Sequence, residues 1–378
     1  MKNRLTYLIS SALGILFFFM FRSESWFRPL VLTAVQWLEV FCYFGFVVVM
    51  GLTFSAAVAS FLGHRDIGSK VILTNILWGL VTGIVLCAVS GALFLVLPQV
   101  PAATAQASAA DIVFPNRFVI VFIAALVVGI AFRPTSKIFK EAYGLSNSLS
   151  EAAFRFCKDF SRFWWIALFF LAAYTAQEIP NYSFADLVPS LVITGVSVLI
   201  VLPLLFCLFT GFKVNPYRKM FRLLPPALSA FFGQTFDAAF IPLYCSERNN
   251  LGIQKRVAAV TIPVSRIVGR GGSAAFATYA VCHALQSSGQ TLGIGTVALV
   301  ALACTCAGFV ACAVPGSALL AVCAVAFKLL GTNPAAVALL PLLLPLSAMT
   351  DVLIAGLCSV VIGKNYNADC EICDWDTI

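Results

Sequence analysis

The chain has 378 residues, 61% hydrophobic and 11% charged, with a net charge of +8 and a mean hydropathy of +0.97. Crossing a bilayer takes ~20 apolar residues over ~30 Å of hydrocarbon, and the chain holds many runs of that length. The composition therefore excludes an ordinary soluble domain and predicts a polytopic membrane protein. The positive charge does not indicate a nucleic-acid partner, because it sits in alternate connections between apolar runs.

Apolar runs lie near 5–21, 29–62, 67–98, 115–133, 160–178, 184–211, 256–285, 293–331 and 335–363. The first follows Lys2 and Arg4 and lacks a small-residue cleavage site, so it reads as a span rather than a signal peptide. Arg65 and Lys70, then Arg133, Lys137, Lys140, Arg155, Lys158 and Arg162, then Lys213, Arg218, Lys219 and Arg222 mark cytoplasmic connections. The intervening stretches 98–114, 175–186 and 283–293 carry no Lys or Arg and belong outside; Arg22, Arg28 and Arg117 are outward exceptions. Both termini are expected in the cytoplasm, with the chain a multi-pass protein of the cell (inner) membrane.

The 218–256 stretch is basic at both ends and apolar between, with a break over GQTFDAAFIP (233–242). Entry and exit on one side predict a re-entrant hairpin. The 293–331 run repeats the pattern from the opposite side, breaking at CAVPGSA (312–318). Two opposed hairpins, each followed by a helix, form an inverted repeat, a plan by which secondary transporters build a substrate site from broken helices. Between the hairpins, the 256–285 run contains PVSRIVGRGGSAAF (263–276), whose glycines predict a helix break near mid-bilayer. Unwound backbone there must line protein or water, not lipid.

The thirteen cysteines mostly occupy apolar helical positions and read as buried thiols. Cys370 and Cys373 have CxxC spacing without a second pair or a nearby His, so no metal site is expected. Trp164 and Trp165 read as an interfacial belt or lipid-facing anchor, His283 as a polar interfacial residue, Lys328 as a snorkelling cation, and Glu39 as a paired residue or a subunit contact.

At the hairpins and the broken helix the chain resembles the dicarboxylate/amino acid:cation symporters, the glutamate transporter homologues. AFIP (239–242), Gly252 ten residues on and IPVSRIVGRGGS (262–273) match that family's TLP, Gly and LPLGATINMDGT by spacing. NNLGIQKR (249–256), the Ala313-Val314-Pro315-Gly316 tip and SAMTDVLIAGLCSVVIGK (347–364) are similar to its loop, second tip and final helix. The resemblance implies an all-α integral membrane fold of eight transmembrane helices plus two oppositely oriented re-entrant hairpins. It implies a scaffold of residues 1–66 (spans 1 and 2) and 99–182 (spans 4 and 5). The transport unit would be residues 67–98 (span 3) and 183–378: span 6, hairpin 1 (218–250), span 7 (256–285), hairpin 2 (293–331), span 8 (335–363) and an acidic tail. A homotrimer in the lipid bilayer is implied as well.

The departures from the family bear on chemistry. The positions of its hairpin serines fall on Phe236, Asp237 and Ala238, its cation-site asparagine and aspartate on Gly269 and Gly271, and its second cation-site aspartate on Ala355. The position that holds a substrate amino group falls on Leu344 and the substrate arginine on Ser347, while Asp351 replaces an asparagine. Sodium coupling therefore does not transfer directly, and an acidic amino acid held in the family's usual way is disfavoured.

Charge inside apolar helices needs a partner or a purpose. Arg270, Asp237, Asp351, Ser273, Gly271, Gly316 and Ser347 are the candidate substrate-binding residues, with Asp237 and Asp351 as cation-coupling candidates. In one reading Arg270 fixes an anionic substrate, since a guanidinium stays charged and binds carboxylates bidentately; in the other it pairs internally with Asp351 or Asp237. Arg266, one turn earlier, shares its face. Apart from a cation either aspartate would hold a proton, and beside Arg270 it stays ionised. A proton is thus preferred over sodium as coupling ion, the other reading being that these residues couple nothing; Ser273 and Thr350 hydroxyls with backbone carbonyls would still offer sodium a weak site.

The function expected is cation-coupled symport of a small anionic organic solute, such as a dicarboxylate or amino acid, by alternating access. The alternative is a degenerate homologue acting as an uncoupled anion pathway or a substrate sensor. No nucleophile with a base is evident, so no enzyme activity is expected, and no cofactor beyond a coupling H+ or Na+.

Overall fold

A computed structural model describes residues 2–63, 65–97, 117–131, 137–178, 184–310, 318–330 and 340–365. Described residues are helical, without a strand, as expected of apolar segments that must satisfy their own backbone groups in hydrocarbon. The helices are α1 (Lys2–Phe21), α2 (Phe27–Gly63), α3 (Arg65–Val96), α4 (Arg117–Ala131), α5 (Lys137–Ser161), α6 (Trp164–Glu178), α7 (Phe184–Val196) and α8 (Leu202–Thr210). They continue as α9 (Pro216–Arg222), α10 (Leu224–Gly233), α11 (Phe240–Ser246), α12 (Lys255–Val268), α13 (Gly271–Ser287), α14 (Ile294–Val310), α15 (Ala318–Leu329) and α16 (Leu340–Asn365).

Among the described residues, four stretches are long and apolar enough to cross a membrane: Phe27–Ala59, Lys70–Val96, Leu187–Thr210 and Leu342–Asn365. The third runs through α7 and α8, joined by a π-helical turn at Ser197–Val201. Pro203, which cannot donate its backbone nitrogen, follows directly, and a widened turn is a common way for a helix to absorb that loss. At 37 residues α2 is about 55 Å long at 1.5 Å per residue, well beyond one perpendicular crossing.

The two stretches read as hairpins each form a pair of short helices. At 10 and 7 residues, α10 and α11 are separated by a 3₁₀ turn at Asp237–Ala239 and pack on each other. At 17 and 12 residues, α14 and α15 also pack together, and both lie against α13. At about 1.5 Å per residue none reaches the ~30 Å of a full crossing. The second tip, 312–318, lies almost wholly outside the described residues, as do Gly316, the CEIC pair and the acidic tail.

Outer faces are apolar: Leu73, Ile84, Leu204 and Leu302 stay exposed, as lipid contact requires. The inner helix is α16, buried over 94% of its apolar window. One core cluster joins α2, α11, α12 and the second half of α16. Another joins α13 to α14, α15 and Phe94 of α3.

Two expectations need correction. The basic connection after 133 is not a plain loop, since α5 is a 25-residue helix whose Ala153, Phe154 and Cys157 face inward. Trp164 is not an anchor at the lipid surface: it is fully buried and its Nε1 donates to Ser229 Oγ at 2.9 Å. The neighbouring Trp165 is exposed, as expected of an interfacial ring. Glu39 and Lys328 are exposed, and His283 is buried beside Tyr279.

Candidate functional site

The break expected in the 256–285 run is present: α12 stops at Val268, Gly269 and Arg270 are unwound, and α13 starts at Gly271. A helix end exposes free carbonyls with partial negative charge, and a helix start exposes free N–H groups with partial positive charge. Both ends at this break meet side chains of the matching sign.

At the carboxyl end stand two arginines. Arg270 Nε donates to the Arg266 carbonyl at 2.8 Å, satisfying one of the freed oxygens. Arg266, fully buried, turns to the tip between α10 and α11, where its Nε donates to Asp237 Oδ1 and its Nη2 to Asp237 Oδ2, each at 2.8 Å. This is the bidentate fork that makes arginine–carboxylate pairs strong. Phe236, next to Asp237, puts its ring 5.7 Å below the Arg270 guanidinium carbon, a cation–π distance.

At the amino end stands Asp351 of α16. Its Oδ1 accepts from the Ser273 N–H at 3.0 Å and its Oδ2 from Ser273 Oγ at 2.6 Å. The carboxylate thus caps α13 from another helix, in place of Arg270, which offers no side-chain cap. Close approach depends on Gly272: a Cβ there would lie 2.7 Å from Thr350 Cβ and 2.8 Å from Asp351 Oδ1. Arg270 Nη1 reaches Asp351 Oδ2 at 3.8 Å, a looser pairing than the one Arg266 makes.

Of the expected site residues, Arg270, Ser273 and Asp351 come together, with Gly271 packed against Gly83 of α3. Asp237 joins through Arg266 rather than Arg270. The hydroxyl of Ser347 donates to its own helix, at the Leu344 carbonyl, 2.9 Å away, and Thr350 likewise donates to the Leu346 carbonyl.

Sequence reasoning overlooked a polar chain beneath the break. Asn75 of α3 donates to the Thr261 carbonyl at 3.2 Å and accepts from Ser265 Oγ at 3.1 Å. Thr261 Oγ1 meets Ser359 Oγ at 2.7 Å, and Ser359 Oγ lies 2.8 Å from Glu247 Oε1. Asn75, the one side-chain amide in the otherwise apolar or threonine-bearing run 71–86, was the available signal. Glu247 gave none, because it precedes Arg248 and reads as a solvated loop residue. Among the described residues no cluster of His, Cys, Asp and Glu could hold a metal ion.

Membrane-length apolar helices packed around a broken helix with paired internal charges mark an integral membrane protein. The chain belongs to the sodium:dicarboxylate symporter family, which it matches over residues 95–357, and so falls among transporters rather than enzymes. It is 26% identical over 210 residues to the neutral amino acid transporter A of Homo sapiens, covering 52% of this chain and 38% of that protein. It is 32% identical over 124 residues to the human neutral amino acid transporter B(0), covering 32% of this chain and 22% of that protein. The excitatory amino acid transporter 3 of Mus musculus is 26% identical over 179 residues, 46% of this chain and 34% of that protein. The matched stretches thus span well under half the length of these curated relatives.

Proposed function

We propose that the protein is a secondary active transporter, a cation-coupled symporter of a small anionic organic solute such as a dicarboxylate or amino acid, working by alternating access. In this reading it is a multi-pass homotrimer of the cell membrane with cytoplasmic termini, built of eight spans and two re-entrant hairpins. Spans 1, 2, 4 and 5 form the scaffold and the remainder moves. The exposed carboxylate of Glu39 on α2, beside Trp37, Val40 and Phe41, suits a subunit contact better than lipid.

The observation that carries the reading is the difference between the two arginines. Arg266 holds Asp237 through two contacts of 2.8 Å, whereas Arg270 holds Asp351 through one of 3.8 Å. Arg266 is the structural cation, and Arg270 is the one that can exchange Asp351 for a substrate carboxylate. The N–H groups at the start of α13 and the Ser273 hydroxyl complete an anion site that Asp351 fills in the closed state.

Coupling follows from charge balance. When Arg270 turns to the substrate, the Asp351 carboxylate loses its counter-charge in a water-poor interior, so substrate binding favours uptake of a cation at Asp351, and reciprocally. A proton suits this position better than sodium, because the oxygens of Asp351 already face a backbone N–H and a hydroxyl donor. A carboxyl protonated on Oδ2 keeps the Ser273 N–H contact and donates to Ser273 Oγ once that hydroxyl turns to accept, while sodium would have to displace both donors.

The test is uptake of labelled dicarboxylates and amino acids into proteoliposomes under an imposed pH or sodium gradient. Saturable uptake driven by an inward proton gradient is expected, abolished by Arg270→Gln. Asp351→Asn is expected to retain substrate exchange but lose gradient-driven accumulation. Uptake driven by sodium and indifferent to pH overturns the choice of proton, and flux that rises linearly with concentration favours the uncoupled anion pathway.

A further inference from the structure

Away from the central site, two adjoining cavities of about 430 and 160 Å³ open between α5 and the segment joining α11 to α12. They share Glu151, Phe154, Arg248 and Lys255 in their walls; Arg155 and Lys158 line the smaller, and Arg256 the larger. Five cations surround one carboxylate. Glu151 is divided between Arg155, 3.8 Å from its Oε2, and Lys255, 3.6 Å from its Oε1. The described residues lining the two cavities thus carry four more positive than negative charges. Phe154 forms an apolar floor, with Lys255 Nζ 6.0 Å from its ring centre.

Arg155, Lys158 and Arg256 are exposed and Arg248 and Lys255 half-buried, and the five line one open concavity from two separate parts of the chain. We propose that this mouth is a binding site for a phosphate-bearing anion, either a phospholipid headgroup or a soluble phosphate. Phosphate suits it because several oxygens can be shared among cations approaching from both walls, and arginine forks match that geometry. The larger cavity exceeds what a lone carboxylate fills and accommodates a headgroup-sized ligand. Such a ligand would clasp α5 to the amino end of α12. It goes beyond the transport reading and does not depend on it.

The experiment is thermal unfolding of the detergent-purified full chain against inorganic phosphate, short-chain phosphatidylglycerol, short-chain phosphatidylcholine, and chloride at matched ionic strength. A ligand that binds the folded state raises Tm in a saturable way. The expected result is a saturable rise with phosphate or phosphatidylglycerol, with at least ~10-fold weaker apparent affinity in Arg248→Gln/Lys255→Gln, the loss of charge-assisted contacts setting that scale. The exposed Arg256→Gln serves as a second variant should the double variant fold poorly, with a smaller shift in the same direction. A response to inorganic phosphate identifies a soluble anion, and a response to phosphatidylglycerol alone identifies a lipid. No shift, a shift matched by chloride or phosphatidylcholine, or an unchanged response in Arg256→Gln and the double variant overturns the proposal.

Discussion

Arg266 and Asp237 are joined by two hydrogen bonds of 2.8 Å, and this pair fastens the tip between α10 and α11 to the last turn of α12. Both side chains are buried, so removing one partner strands the other charge. Such a loss typically costs about 3–5 kcal/mol, whereas replacing both by apolar groups of similar volume is often neutral or stabilising. Asp237→Asn is therefore expected to lower stability sharply, and Asp237→Leu/Arg266→Met to recover most of it. Tm measurements on the purified single and double variants check this, and a double variant no better than the single one would sink the account.

Arg270 pairs with its carboxylate less closely than Arg266 does, so its removal should act on ligand binding more than on folding. Arg270→Gln is expected to melt closer to wild type than Arg266→Gln does, while losing any Tm rise caused by a substrate anion. Arg270→Lys keeps the charge but not the fork, and is expected to bind carboxylates more weakly than wild type. A ligand-induced Tm rise that survives in Arg270→Gln would remove it from the site.

Gly272 sits where α13 meets α16, and the space for a Cβ is already taken by Thr350 and Asp351. Gly272→Ala must push α13 away from α16, lengthening the Ser273 contacts to Asp351. A cost of about 1–3 kcal/mol is usual for overpacking of this kind, and transport should fall further than stability because the displaced groups are those at the break. Parallel Tm and uptake measurements on Gly272→Ala separate the two effects.

Glu247 presents a different balance. One oxygen meets Ser359 Oγ at 2.8 Å, while Oε2 is buried without a hydrogen-bond partner among the described residues. Glu247→Gln keeps a carbonyl oxygen for Ser359 and removes the need to bury a charge, so stability equal to or above wild type is expected. Glu247→Ala leaves a cavity and takes one partner from the Ser359 hydroxyl, which keeps Thr261 Oγ1 at 2.7 Å, with an expected loss of about 1–3 kcal/mol. Chemical denaturation of both variants distinguishes them, and equal destabilisation would show that the carboxylate itself is required.

The positions of the helices, the break at Gly269–Arg270 and the short-helix pairs were legible in the sequence. Hydrophobic run length and glycine act locally, through the need to satisfy backbone groups and the lack of a Cβ. The amphipathic α5 was harder to read, since its basic residues resembled a solvated loop while its inward face is carried by Ala153, Phe154 and Cys157. Trp164 was misread for the same reason: an indole suits a bilayer surface equally well until a partner such as Ser229 is brought to it from 65 positions away.

Membership in a membrane transporter family, and the concentration of charge at Asp237, Arg266, Arg270 and Asp351, were determined by sequence alone, because composition, spacing and motif are properties of the chain. Which arginine takes which aspartate was decided only by tertiary structure. Residues one turn apart in a helical reading share a face, so Arg266 and Arg270 are equivalent candidates until α16 and the tip at Asp237 are brought to them. Arg266 meets Asp237 as a fork, Arg270 is left at 3.8 Å from Asp351, and Asp351 is drawn instead to the free N–H groups that open α13.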